Sequence, residues 1–285
     1  GADVQNLMNY TRPGCRSCGT IDHIRIEHTG AGLTCQRSDI TLRACADAAC
    51  LSESTDSVTV TMTPATANPP TWIGGDDFTF TGSQTVQLRQ TSLGPVTLGI
   101  TSPDPVPANG FRCYDSGVEG DCDISFYESG FLFDVPDHTA DVTQSVTLAA
   151  VRRDPITQEC VPGFQNVSKD VRFWSEYLDP GSGTLQVRLD TNLISTSATG
   201  TLLSLNFDNN GEADIDVAYA DVGQMNLHAL YQGSGEDAGL EMTGVDSFIA
   251  RPAHFAVNVP GNPGAVDASG DVFAVAGEQF QVEVS

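Results

Sequence analysis

Apolar and polar side chains alternate over short stretches along most of this 285-residue chain. In 58–63 valine and methionine alternate with threonine, and in 40–44 isoleucine, leucine and alanine alternate with threonine and arginine. Alternation of this kind places apolar side chains on one face of a strand and polar ones on the other. Turn residues such as those at 74–77 separate the alternating stretches, and no long amphipathic helix pattern intervenes. The pattern predicts an all-β chain with one solvated face per sheet.

Proline- and glycine-rich segments divide this pattern. Six or seven short strands in 20–102 fit an immunoglobulin-like β-sandwich. Three prolines within 102–107 predict a domain boundary, because proline stops a strand and stiffens a linker. We expect a larger β-sandwich in 103–251, the first strands of a third, truncated sandwich in 252–285, and an N-terminal linker in 1–19. The predicted fold is therefore a tandem of immunoglobulin-like antiparallel β-sandwiches.

The charge balance excludes several classes of partner. Acidic residues number 37 and basic residues 13, for a formal net charge of −24, and Lys169 is the single lysine. A phosphate-binding face needs a basic stripe, so we expect neither nucleic acid nor an anionic membrane surface as a partner. No apolar run is long enough for a membrane helix, so no membrane insertion is expected in this segment. An acidic, self-repelling surface suits a protein outside the cell.

An even number of cysteines points to disulfides and to an oxidising compartment. The eight cysteines are Cys15, Cys18, Cys35, Cys45, Cys50, Cys113, Cys122 and Cys160. Cys45 with Cys50, and Cys113 with Cys122, are spaced to close local loops. Cys35 and Cys160 would then tie the first sandwich to the second, in one of 105 pairings open to eight cysteines. Cys15 and Cys18 form a CxxC without a following helix or a second CxxC, which favours a small structural disulfide over a redox or zinc site.

One acidic turn resembles the start of a calcium loop. Asp208, Asn210, Glu212 and Asp214 place oxygen atoms at alternate positions around a glycine. The turn lacks the downstream bidentate glutamate and lies between two predicted strands, so an Asn-Gly hairpin turn is the alternative. Apart from calcium at this turn, no cofactor is expected.

Two tryptophans are candidates for ligand contact. Trp72 follows a Pro-Pro turn in a predicted loop and is the better candidate for a surface contact. Trp174 lies in a predicted strand, where a core position is favoured over an exposed sugar platform.

No serine-histidine motif is present in the sequence, so we expect no catalytic residues. A hydrolase would require convergent carboxylates, and their separation in space is not visible in a sequence.

Several short motifs together resemble one known family. They are DHIRIEH at 22–28, LTCQ at 33–36, ACADAAC at 44–50, GGD at 74–76, FTFTG at 78–82, SGFLFDVPDH at 129–138, QECVPGF at 158–164 and FIARP at 248–252. This set resembles the conserved C-terminal region of MshQ-type proteins, which are encoded with the mannose-sensitive haemagglutinin (MSHA) type IV pilus of Gram-negative bacteria. The resemblance implies a large exported protein, associated with a pilus or the cell surface and adhesin-like. It implies no catalytic residues.

Pattern, charge and resemblance together predict a non-catalytic extracellular stalk of a type IV pilus-associated, adhesin-like surface protein, exported through the periplasm. The expected partners are pilus or other surface-protein subunits. The alternative is that this region itself binds a ligand, either a glycan or a pilin, through loops at one end of a sandwich. A binding module would show an aromatic-lined groove or an exposed edge strand. A secreted hydrolase is a third, less favoured reading.

Overall fold

A computed structural model describes residues 21–66, 70–254, 257–262, 272–275 and 277–284. The expected N-terminal linker 1–19, with Cys15 and Cys18, lies outside these residues. The described chain is almost entirely β-strand and turn, and its one helical segment there is a short 3-10 turn at Gly235–Asp237. None of the helices in this part of the chain has the length and apolarity needed to cross a membrane. The expected all-β architecture is thus confirmed.

Twelve strands form the first sandwich. They are β1 (His23–His28), β2 (Ala31–Leu33), β3 (Arg37–Cys45), β4 (Ser57–Thr63), β5 (Thr71–Trp72), β6 (Asp77–Thr81), β7 (Ser83–Arg89), β8 (Gly94–Thr97), β9 (Gly99–Asp104), β10 (Phe111–Asp115), β11 (Val118–Gly120) and β12 (Asp123–Tyr127). One sheet has the order β11-β10-β1-β3-β7-β5, and two smaller sheets have the orders β2-β12-β8 and β6-β4-β9. All three sheets contribute to one core.

The period-two pattern accounts for this core directly. Val58, Val60 and Met62 on β4 are fully buried, whereas the threonines between them lie toward solvent. Ile40 and Leu42 on β3 are likewise fully buried, with polar neighbours on the opposite face. Side chains that alternate in sequence therefore line the space between the sheets, as the alternation predicts.

The first sandwich extends to Tyr127. β10 pairs in parallel with β1, and β12 pairs in parallel with β2 and antiparallel with β8. Ile124 and Phe126 belong to the first core. The sequence-based boundary at 102–103 falls inside β9, and strands on both sides of it pair within the same sheets, because the prolines at 103–107 serve the end of β9 and the connection to β10. Local composition marks a turn, and only long-range pairing reveals where a domain ends.

Eleven strands form the second sandwich. They are β13 (Ser129–Leu132), β14 (His138–Thr139), β15 (Gln144–Arg153), β16 (Cys160–Pro162), β17 (Val167–Asp179), β18 (Arg188–Leu189), β19 (Asn192–Leu193), β20 (Thr201–Phe207), β21 (Glu212–Ala218), β22 (Gly223–Gln232) and β23 (Glu241–Arg251). They form one sheet in the order β19-β18-β21-β15-β13-β23-β22-β17-β20, with β14 beside β23 and β16 beside β15. This sheet folds over on itself around a single core that includes Phe173, Leu148, Leu227 and Phe248.

Most strand pairs are antiparallel, as predicted. The parallel pairs are β1–β10, β2–β12, β13–β23 and β14–β23, which join strands far apart in sequence. Past residue 252, two short strands, β24 (Val257–Asn258) and β25 (Glu283–Val284), pair antiparallel. Among the described residues past 252, these are the two strands present. A third sandwich therefore remains a prediction.

Candidate functional site

A very short junction joins the two sandwiches. β12 ends at Tyr127 and β13 begins at Ser129, so Glu128 alone links them. The backbone N–H of Arg153 donates to the carbonyl of Glu128 at 2.7 Å. The Arg153 guanidinium also donates to the carbonyl of Thr91 in the first sandwich at 2.8 Å. The junction is therefore hydrogen-bonded across both sandwiches and leaves little free chain between them.

A disulfide braces the same junction. Cys35, just after β2, bonds to Cys160 at the start of β16, across 125 residues of sequence. Cys45 bonds to Cys50 and Cys113 to Cys122, over separations of 5 and 9 residues. These are the pairs considered from cysteine spacing, and no free cysteine is present among the described residues. The long-range bond covalently closes the two sandwiches against each other.

The hairpin of β10 and β11 reaches from the first sandwich onto the second. Ser116 and Gly117 form its two-residue turn with φ of 49° and 86°, the left-handed backbone of a type I′ turn. Asn226 on β22 donates from Nδ2 to the carbonyl of Ser116 at 3.1 Å. A Cβ at Gly117 would lie 3.0 Å from the Leu178 side chain. The hairpin tip is thus seated on the face of β17 and β22.

A cleft of about 670 Å³ lies beside this hairpin, between the two sandwiches. One wall comes from the first sandwich, with Asp115, Glu119, Asp121 and Asp123. The opposite wall comes from β17, β22 and β23, with Trp174, Glu176, Asn226, His228 and Val245. The register of β17 with β22 sets Trp174 opposite His228 and Glu176 opposite Asn226, so these four side chains share one face of the sheet.

An aromatic pair stands in the second wall. The indole of Trp174 stacks on the imidazole of His228, with ring centroids 4.7 Å apart and planes at 1°. His228 Nε2 lies 3.1 Å from Glu176 Oε2. Burial lowers the pKa of His228, and the nearby Glu176 carboxylate opposes that shift. The wall therefore combines an apolar ring surface with a carboxylate at its edge.

Two polar atoms of this wall have no polar partner at all, and a third, His228 Nε2, makes no hydrogen bond beyond its 3.1 Å contact with Glu176 Oε2. Trp174 Nε1 and Asn226 Oδ1 are buried and have no hydrogen-bond partner among the described residues. Asn226 is 1% exposed. A buried polar atom without a partner costs about 1–3 kcal/mol, so such atoms are rare and call for an explanation. Both atoms belong to residues that line the cleft.

The cleft is strongly acidic. Five carboxylates line it, and no lysine or arginine is among its described lining residues. One of them, Asp115, lies over Gly30, where an added Cβ would be 2.3 Å from Asp115 Oδ2. Gly30 has φ +68° and donates its N–H to His28 Nδ1 at 3.0 Å. A glycine is therefore required at residue 30 both for its backbone and for the position of Asp115.

The acidic turn that resembles a calcium loop joins β20 to β21, and it is a tight turn but no β-hairpin, because β20 pairs with β17 whereas β21 pairs with β15 and β18. Asp208 Oδ1 accepts the N–H groups of Asn210 at 2.7 Å and Glu212 at 3.0 Å. These bonds lower the pKa of Asp208. Asp214 instead accepts from Thr147 Oγ1 on β15 at 2.7 Å. The carboxylate of Asp208 is thus engaged by the turn itself. The expected turn is present, but the expected pairing of its two flanking strands in a hairpin is wrong, and calcium binding here remains a prediction.

Trp72 is not a surface residue, which corrects the expectation of a ligand contact there. It is 2% exposed and belongs to the first core. Its indole N–H donates to the carbonyl of Pro64 at 2.9 Å, and its ring meets Phe78 edge-on with centroids 6.2 Å apart. The neighbouring backbone satisfies the polar atom of the indole, so the ring can be buried.

Trp174 is the partly exposed tryptophan, although a core position was favoured for it.

One group of side chains among the described residues has ligand atoms close enough to share a metal ion. It consists of His23, Cys45 and Cys50. Both cysteines are consumed by a disulfide, so their sulfurs are not thiolate ligands. His23 Nδ1 lies 2.8 Å from Asp22 Oδ1. This histidine therefore has a structural role at the start of β1.

Sequence reasoning did not find the cleft as a site. A local signal was present for the second wall, because Trp174 and Glu176 lie two residues apart on β17. Residues two apart on a strand share a face. Such a pattern indicates a polar strand face. That this face meets the acidic face of the first sandwich depends on the junction between the two sandwiches, which a local pattern does not show.

Comparisons with known proteins agree with the class of fold. Residues 110–245 match the model of a domain of unknown function (DUF6701), described as its first Ig-like domain. Residues 21–106 match a second domain of unknown function (DUF8613). The first match contains every cleft residue named here except Gly30. No curated protein matches the chain. The chain is therefore a protein of tandem, Ig-like β-sandwiches.

Solved structures overlap the chain only loosely. The D0-D1 domain of intimin shares 14% identity, with 79% of this chain and 96% of that chain covered, at a TM-score of 0.32. The Yersinia pseudotuberculosis adhesin InvE shares 16% identity, with 80% and 57% covered, at 0.26. The native Escherichia coli alpha-2-macroglobulin shares 12% identity, with 88% and 18% covered, at 0.28. With TM-scores this low, the overlaps support no conclusion about function.

Proposed function

We propose that this chain is a non-catalytic, extracellular stalk module of a type IV pilus-associated, adhesin-like surface protein. The observation that carries the proposal is the braced junction: Glu128 alone joins the sandwiches, and the Cys35–Cys160 disulfide and the Arg153 hydrogen bonds lock them together. A junction of this kind transmits force and holds a fixed angle. Those are the properties that a stalk requires.

The surface supports the same role. With a net charge of −24 and a single lysine, the chain repels copies of itself and stays solvated. Three disulfides stabilise the described sandwiches in an oxidising environment. The association with pili is proposed from the resemblance to MshQ-type proteins.

Stretching single molecules from their ends tests the mechanical part of the proposal. With the Cys35–Cys160 bond intact, the 125 residues between the cysteines cannot extend. Removal of that bond should add about 380 Å of contour length, once the short loops of 5 and 9 residues are subtracted. Sandwiches that separate at low force with the bond intact would contradict a stalk role.

Immunogold imaging of the parent protein, with and without this segment, tests where the protein is located. Labelling away from pili in both cases would contradict the pilus association.

Ligand binding is the second candidate, and two observations favour it. The cleft is an aromatic-lined groove, and β20 is an edge strand that exposes Leu202 at 61%. Both are the features expected of a binding module.

The cleft also carries several carboxylates, which a glycoside hydrolase would need. Chromogenic glycosides should therefore be tested with the intact chain. Hydrolysis that disappears in Glu176→Gln would contradict the non-catalytic proposal, and no turnover is the expected result.

A further inference from the structure

We propose that the cleft between the sandwiches binds a basic peptide segment of a partner protein, with a lysine or arginine side chain among its carboxylates. This deepens the ligand-binding candidate and does not depend on the stalk role. The negative charge of the cleft favours a cationic ligand. Five carboxylates face one cleft without a lysine or arginine on its described lining, so a cationic group entering it replaces repulsion with attraction.

The spacing of these carboxylates argues against a single metal ion. Across the described residues, the one group of three or more His, Cys, Asp or Glu side chains close enough to share a metal ion is His23, Cys45 and Cys50, and it contains no carboxylate of the cleft. Their negative charge is spread along the walls, whereas a metal site gathers its ligands around one point. A volume of about 670 Å³ also suits several side chains of a peptide.

The partnerless atoms in the second wall indicate a ligand with both donors and acceptors. Asn226 Oδ1 needs a donor, and Trp174 Nε1 needs an acceptor. A peptide supplies both, through the N–H groups of a lysine or arginine and through its backbone carbonyls. The Trp174 indole also offers a ring to a cation, which adds a favourable interaction.

A neutral glycan is the competing occupant. It too carries donors and acceptors, and it could stack on Trp174. Arg112 lies 3.7 Å from Glu119 and His228 lies 3.1 Å from Glu176. A neutral ligand, however, leaves the remaining three carboxylates of the cleft, Asp115, Asp121 and Asp123, without an ion-pair partner among the described residues. The charge of the cleft therefore favours the basic peptide.

The test measures binding of fluorescein-labelled tetralysine to the full chain by fluorescence anisotropy. Because the whole surface is acidic, the decisive comparison keeps the net charge equal. Asp121→Asn/Glu176→Gln removes one carboxylate from each wall of the cleft. Asp170→Asn/Glu236→Gln removes two exposed carboxylates elsewhere. Circular dichroism and thermal melts verify that both variants fold.

We expect the cleft variant to bind about tenfold more weakly, because each lost contact is charge-assisted, and the control variant to change by about threefold or less. Trp174→Ala should also weaken binding about tenfold, since it removes the ring and its N–H. Salt at 1 M should weaken binding to the wild type, because it shortens the Debye length to about 3 Å.

Three results would overturn the proposal. The first is no measurable tetralysine binding at low salt. The second is equal weakening in the cleft and control variants, which would mean nonspecific attraction to an acidic surface. The third is binding of maltotetraose, a neutral tetrasaccharide, that depends on Trp174 while tetralysine binding does not. None of these outcomes alters the stretching test, so the stalk role stands or falls separately.

Discussion

The Cys35–Cys160 disulfide should contribute more to stability than either short-range disulfide. Cys35→Ala/Cys160→Ala removes it, and Cys45→Ala/Cys50→Ala is the matched control. Each pair consists of one buried and one half-buried cysteine. The small voids left by alanine are therefore comparable, and the difference between the variants reports the length of the closed loop.

The magnitude follows from the two loop lengths. In the chain-entropy account, closing a loop of 125 residues destabilises the unfolded chain by about 4.9 kcal/mol at 25 °C. The same account gives about 2.1 kcal/mol for the 5-residue separation of Cys45 and Cys50. We therefore expect the free energy of unfolding to fall by about 2.8 kcal/mol more in Cys35→Ala/Cys160→Ala than in the control.

Urea unfolding under oxidising conditions measures both losses. The two tryptophans report on different regions, because Trp72 lies in the first core and Trp174 lies beside the junction. Without the long-range bond, the transitions seen by the two regions should separate, since each sandwich can then unfold by itself. Equal losses in the two variants, or a larger loss in the control, would refute the reasoning.

Four further substitutions test single features of the fold. Trp72→Ala should cost about 3–5 kcal/mol in urea unfolding, because its ring is buried in the first core; a loss below 1 kcal/mol would restore the surface interpretation. Gly30→Ala should lower the Tm and weaken tetralysine binding, because φ is +68° and the new Cβ would meet Asp115; an unchanged Tm and affinity would contradict this. Burial lowers the pKa of His28, so its stabilising effect is present above pH 6.5 and is lost as pH falls below it; the drop in Tm between pH 7 and 5 should shrink in His28→Asn, and an identical drop would exclude this histidine. Asp208→Ala should lower the Tm by removing the bonds that close its turn, with no effect of calcium on the wild-type Tm; a rise in Tm with calcium would instead support the metal loop.

The strands were predictable because their cause is local. The alternation at 58–63 coincides with β4, and every apolar residue in it is fully buried. A side chain two residues away shares the same face, so a short window of sequence contains the information that the strand needs. The segment at Gln144–Arg153 is similar, since valine and threonine favour the strand that forms there.

The pairing of strands across the predicted boundary was not predictable from the same information. Three prolines marked residues 103–107 as a boundary, yet β10 returns to pair with β1, more than eighty residues earlier in the chain. Proline reports a local restriction on the backbone. Which strands become neighbours depends on long-range packing, which a local pattern does not contain.

Trp72 illustrates a different limit. Its position after two prolines indicated a loop, and the short strand β5 does lie at the edge of its sheet. The outcome depends on a single acceptor, the carbonyl of Pro64, which allows the indole N–H to be buried. Whether such a partner is available to a tryptophan is a property of the folded backbone.

The structure shows that several of the acidic residues lie together in one cleft. Acids spread over a chain with a net charge of −24 favour a solvated surface and are unfavourable for binding polyanions. Glu119, Asp121 and Asp123 lie on β11, the following loop and β12 of the first sandwich, and Glu176 lies on a strand more than fifty residues later. A one-residue linker and a disulfide set these two faces against each other. The rigidity proposed for the stalk is thus also what keeps the carboxylates of the cleft together, and loosening the junction in Cys35→Ala/Cys160→Ala should weaken tetralysine binding without removing a single charge.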